Sequence, residues 1–112
     1  MDSILTSIKK LLGIAEEYTH FDGDLIIHIN SVFSILTQLG VGPSDGFAIE
    51  DDSATWDEFV QDNKTIESVK SYVYLKVKLL FDPPLGSAVS ESMNKLIGEL
   101  EWRLNVAAES NS

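Results

Sequence analysis

Apolar residues recur at helical spacing in several stretches of this chain, and the widest of these bands poses a packing problem. At 100° per residue, the run from Ile66 to Phe81 places Ile66, Val69, Val73, Val77 and Leu80 on one stripe. Tyr72, Leu75 and Leu79 form a second stripe beside it, Tyr74 and Phe81 flank the other edge, and Glu67, Ser68, Ser71 and Lys78 leave only a polar strip. One neighbouring helix cannot cover so broad an arc. The expected arrangement packs the main stripe against the second and last helices, while some of Tyr72, Tyr74, Leu75 and Leu79 meets another copy of the chain. Lys76 lies inside the same arc, where its stem can pack while its ammonium must reach water or a carboxylate, such as one on a neighbouring subunit.

The other elements follow from the same periodicity. A short helix is predicted from Ser3 to Leu12, with Ile4, Ile8 and Leu11 on one face, Leu5 and Leu12 beside them and Gly13 as the stop. A second begins near Asp22 or Gly23 and ends before Gly40, carrying Leu25, Ile29, Val32, Leu36 and Leu39, with Ile26 and Phe33 widening the stripe. The run "LGVGPSDG" then breaks the chain, and "GFAIEDDSAT" reads as a loop in which Phe47 and Ile49 can anchor a short extended piece. In "TWDEF", Thr55 and Glu58 have capping-box spacing, which predicts a short helix over Trp56–Val60 pinned by Trp56, Phe59 and Val60.

The fourth helix starts around Asn63 to Thr65 and stops at "FDPP", because Pro83 disfavours helical geometry at Asp82. The last runs from Ser87 or Ala88 to about Ala107, with Val89, Met93, Leu96, Leu100 and Leu104 on one side and Ile97 beside them. The predicted fold is all-α: a compact bundle of four to five helices forming a single domain over residues 1–108, with an acidic irregular loop between the second and third helices and a disordered tail over 109–112.

Composition narrows the function. A chain of 112 residues, 44% hydrophobic, fits one domain with a radius of gyration of about 13 Å. The lack of cysteine removes disulfides, thiolate metal sites and thiol nucleophiles together, and fits a reducing compartment. The opening "MDSILTSIKKLLG" lacks the pattern of a secretory leader, and no stretch approaches the roughly 20 apolar residues of a membrane span, so a soluble cytoplasmic product without membrane contact is expected. The formal charge of −10 opposes a grip on nucleic acid through phosphate neutralisation. Seven acids, Asp45, Glu50, Asp51, Asp52, Asp57, Glu58 and Asp62, stand between Ser44 and Asn63 with no Lys or Arg among them. The simplest role for them is a solvated loop that keeps the protein soluble.

Catalytic chemistry finds little to stand on. His20 and His28 are eight residues apart, not at the spacing that aims two imidazoles at one metal, and structural or interface roles suit them better. No serine stands in a nucleophile elbow, no glycine-rich loop opens a helix, and "DDSATWDEF" lacks the glycine and alternating oxygen ligands of a calcium loop, although Asp51, Asp52 and Glu58 could hold a hard cation weakly. Asn63-Lys64-Thr65 matches a glycosylation sequon, without meaning in a cytoplasmic protein. The sequence therefore predicts no enzyme, no cofactor and no metal. Trp102 in "ELEWRLN" falls opposite the Leu96, Leu100 and Leu104 stripe and shares its face with Gly98 and Val106. A large aromatic on an outer face beside a glycine is a candidate interface anchor, with packing under a loop of the same chain as the alternative.

In order and texture, from about Asp2 to Val106, the chain resembles the small helical head-tail connector (adaptor, or head-completion) proteins of tailed bacteriophages. The resemblance is carried by "ILTSIKKLLGI", "DLIIHINSVFSILTQLGVG", "VKSYVYLKVKLLFDPP" and "ELEWRLNV". It implies an assembly role without catalysis: about a dozen copies in a ring beneath the portal protein, extending the DNA channel, passing DNA without specific binding, and offering a platform to a downstream neck or tail protein. The implied location is the virion neck, after assembly in the bacterial host cytoplasm. Matched by position, Tyr72, Leu75, Lys76, Leu79 and Trp102 become the expected subunit contacts, while Asp45, Glu50, Asp51, Asp52, Asp57 and Glu58 become a channel or partner loop. A second reading, a small acidic interaction protein or DNA mimic working as monomer or dimer, fits the charge but not the apolar fourth helix.

Overall fold

A computed structural model of the chain describes residues 3–61 and 63–110. Ser3 caps the first helix, α1 (Ile4–Leu12): its hydroxyl accepts from the Thr6 N–H at 3.2 Å, and Gly13 ends the helix in the left-handed region at φ 82°. Then come α2 (Asp22–Gln38), α3 (Trp56–Phe59), α4 (Asn63–Phe81) and α5 (Ser87–Ser110), with no strand among the described residues. The all-α bundle expected from periodicity is the fold observed, with a radius of gyration of 13.7 Å. The last helix is longer than expected. "VAAES" holds neither glycine nor proline, so α5 continues through Glu109 and Ser110 instead of giving way to a tail, and Asn111 and Ser112 lie outside the described residues.

α4 occupies the middle of the bundle and packs against α1, α2 and α5. Its broad apolar arc is therefore covered largely within the chain, and the expectation that Tyr72 meets another copy is corrected. The Tyr72 ring is 0% exposed, and its hydroxyl donates to Glu101 Oε2 on α5 at 2.5 Å. Burial, and next the adjoining carboxylate, push the phenol pKa above its usual range. Because the folded-state pKa is raised, this contact contributes stability fully below about pH 10, and the contribution is lost as pH rises beyond it. Tyr72→Phe is expected to cost about 1 kcal/mol near neutral pH and to flatten the alkaline limb of a stability–pH curve measured by denaturant titration.

Three leucine and valine positions assigned to core stripes lie outside the core. Leu80, Val89 and Leu96 are all exposed, whereas the buried residues of α5 are Ile97, Leu100 and Leu104. Periodicity gives the side of a helix but not the position along its axis. Leu80 and Val89 flank the Pro83-Pro84 turn, where α4 ends and α5 begins, and neighbouring helices offer little cover there. On α1 the buried side is Ile4, Leu5, Ile8 and Lys9, so Leu11, expected on the core face, is 54% exposed. The apolar count misplaced that face because a lysine occupies part of it.

Lys9 is only 2% exposed, and its ammonium is fully engaged. It donates to the carbonyls of Glu16 and Tyr18, each at 2.8 Å, and pairs with Asp22 Oδ1 at 2.8 Å. One cation thereby fixes the α1–α2 connection and the first turn of α2, where a carboxylate also suits the helix dipole. Just beyond, Phe21 packs edge-on against Phe81 with centroids 5.1 Å apart, joining the start of α2 to the end of α4. His20 lies 4.8 Å from Phe21 and His28 6.5 Å from Phe81, so both imidazoles belong to this aromatic cluster.

The segment between α2 and α3 has no regular structure but is tied down along its length. The Asn30 side chain pairs with the Ile49 backbone on both sides, Ile49 N–H donating to Oδ1 at 2.7 Å and Nδ2 donating to the Ile49 carbonyl at 3.0 Å. Phe33 meets Phe47, Phe59 and Trp56 at centroid distances of 5.2, 4.6 and 6.4 Å. The Trp56 indole N–H donates to Ser7 Oγ at 3.2 Å, and Ile4 N–H donates to the Ala54 carbonyl at 3.0 Å. Gly42, at φ 84°, lies under the Phe59 ring, where a Cβ would come within 2.4 Å of a ring carbon. The expected capping box forms, with Thr55 N–H donating to Glu58 Oε2 at 3.2 Å.

Candidate assembly surfaces

The residues expected at subunit contacts divide into three environments. Tyr72 is core. Leu75, Lys76 and Leu79 are half-buried, and among the described residues no carboxylate pairs with Lys76. Trp102 is 68% exposed on the outward side of α5, flanked by exposed Val106 and by Gly98, whose missing side chain leaves open space. Arg103 and Glu99 pair on the same helix one turn apart. Of the five, Trp102 has the surroundings of an interface anchor, a large apolar body without cover in its own subunit.

A second surface joins Tyr74 and Leu75, two of the positions expected to meet another copy, to residues of α1 and α5 that were not. Between α1, α4 and α5 runs an open trough of about 470 Å³ lined by Leu11, Glu67, Lys70, Ser71, Tyr74, Leu75 and Leu96. It continues over the outward side of α1 past Thr6, Ser7 and Lys10, with Glu16 and Lys70 on the rim. Lys70 leans toward Glu67 at 3.8 Å, whereas exposed Lys10 has no carboxylate partner among the described residues. Leu11 and Leu96 could have signalled this surface only if their axial and angular offsets from the core had been legible. Both read as ordinary stripe residues.

The acids of the loop face water. Asp45, Glu50, Asp51, Asp52 and Glu58 are exposed and Asp57 is half-buried, while Asp62 lies outside the described residues. Two of them also hold local structure: Glu58 completes the α3 cap, and Asp51 Oδ1 accepts from the Ser53 hydroxyl at 2.5 Å and the Ser53 N–H at 2.9 Å. Those bonds, the hydroxyl first, hold the Asp51 carboxyl below its usual pKa. Among the described residues no three His, Asp or Glu side chains are grouped to hold a metal ion, and no helix is long and apolar enough to cross a membrane.

The chain is thus a helical bundle with an exposed Trp102, a partly apolar trough and an acidic loop pinned to the core. The particular family follows from comparison with known proteins: the family model described as phage connector protein matches residues 4–111, and the chain belongs to that family. No curated protein and no solved structure matches it. The family is structural, and its role lies in the connection between phage head and tail.

Proposed function

We propose that this chain is one subunit of a ring, of about a dozen copies, that sits beneath the portal protein in the virion neck, extends the DNA channel and presents a platform to the next neck or tail protein. The family match over nearly the whole chain is the observation that carries this reading. Uncovered apolar surface on more than one side of the bundle supports it, because a subunit joined to neighbours through unlike faces builds rings or filaments, not isolated pairs. Lined along a channel, the loop carboxylates Asp45, Glu50, Asp51, Asp52, Asp57 and Glu58 would repel the phosphate backbone and let DNA slide. Turned outward, the same loop would meet the tail-side partner. Leu75, Lys76 and Leu79 lie at the edge of the subunit contact in this reading, with Trp102 at its centre.

Native mass spectrometry with light scattering, over a range of concentrations and with and without a portal ring, tests the assembly. A discrete species near a dozen subunits, alone or on the portal, is the expected result. A monomer or dimer under every condition would overturn the ring.

A further inference from the structure

Building on the ring reading, we infer that the outward face of α5 on one copy, centred on Trp102, packs against the outward face of α1 on the next, centred on Lys10 and Leu11. The central helix sets the geometry. Tyr72 of α4 reaches α5 through Glu101, and α1 and α5 each pack against α4, with Leu11 of α1 and Leu96 of α5 lining one trough over it. Lys10 is exposed on α1 and Trp102 on α5, so the two faces are different surfaces of the subunit. A contact between unlike faces runs head to tail and can close into a ring.

Charge and shape favour a second copy as the occupant. α1 contains Lys9 and Lys10 and no acid, and Lys9 is spent inside the subunit on Asp22, leaving Lys10 outward. On α5, Glu101 is likewise spent on Tyr72, and the exposed Glu91, Glu99 and Glu109 against Lys95 and Arg103 leave a net charge of 2 − 3 = −1. The Lys10 ammonium, which has no carboxylate partner among the described residues, thus meets a net acidic helix and an exposed indole, on whose face a cation is attracted. The exposed Leu11 side chain and the trough behind it give the ring an apolar seat.

The absence of cysteine permits a direct test. Thr6→Cys and Val106→Cys chains, each folded by circular dichroism, are mixed under the conditions that give the ring and treated with a short bis-maleimide. Links between position 6 and position 106, with few 6–6 or 106–106 links, are expected. In the cysteine-free chain, Trp102→Ala and Lys10→Glu are each expected to raise the concentration for half-assembly by roughly tenfold or more. An intact ring with only like-to-like links, or with both substitutions silent, would overturn this pairing and leave the ring standing. A monomer in every condition, portal included, would overturn the ring and this contact with it.

Discussion

Phe33→Ala is expected to lower stability by about 4 kcal/mol, read as a fall in Tm of roughly 15 °C for a domain of this size. Phe33 is fully buried on α2 and is the common neighbour of Phe47, Trp56 and Phe59, so its removal opens a cavity between the bundle and the acidic segment. The loss should not be uniform. Hydrogen exchange ought to show the Ile49 amide, which donates to the Asn30 side chain, losing protection before the amides in the middle of α4. Equal loss at both places would mean that loop and bundle unfold as one unit. Phe33→Leu, which keeps most of the volume, should recover more than half of the stability.

Lys9→Met is expected to cost about 2–3 kcal/mol in denaturant titrations. Truncating one member of a buried pair leaves the other charge without compensation, and here two loop carbonyls lose their donor as well. The Asp22 side chain is 26% exposed and can take up water, which keeps the cost toward the lower end. Asp22→Asn introduced into the Lys9→Met chain removes the stranded charge and should recover about 1 kcal/mol, giving a measurable coupling in the double-mutant cycle. A Lys9→Met chain as stable as the original would show that loop carbonyls and Asp22 are served as well by water.

These two positions also mark where the sequence could be read and where it could not. The boundaries of α1, α2, α3 and α4 follow from local signals, including Ser3, Gly13, the Thr55–Glu58 box and Pro83, because caps and breakers act within one turn. Lys9 was unreadable: a lysine on an amphipathic helix ordinarily marks the wet face, and its partners lie 7, 9 and 13 residues further on. Tyr72 was misplaced for a related reason. A stripe beside the main stripe can face a neighbouring subunit or a third helix of the same chain, and the pattern on α4 is identical in either case.

The sequence by itself determined an all-helical domain, an acidic loop anchored by Phe47 and Ile49, an outward Trp102 and kinship with the phage connectors. Those properties depend on local periodicity, local charge and residue order. Only the tertiary structure decided that α4 is the central helix, that Tyr72 is core, and that Leu11 and Leu96 border an open trough. It also left Trp102 and Lys10 exposed on two different helices. The physical reason is that burial depends on which helices cross and where along their axes, a relation among distant residues that no single helix's pattern contains.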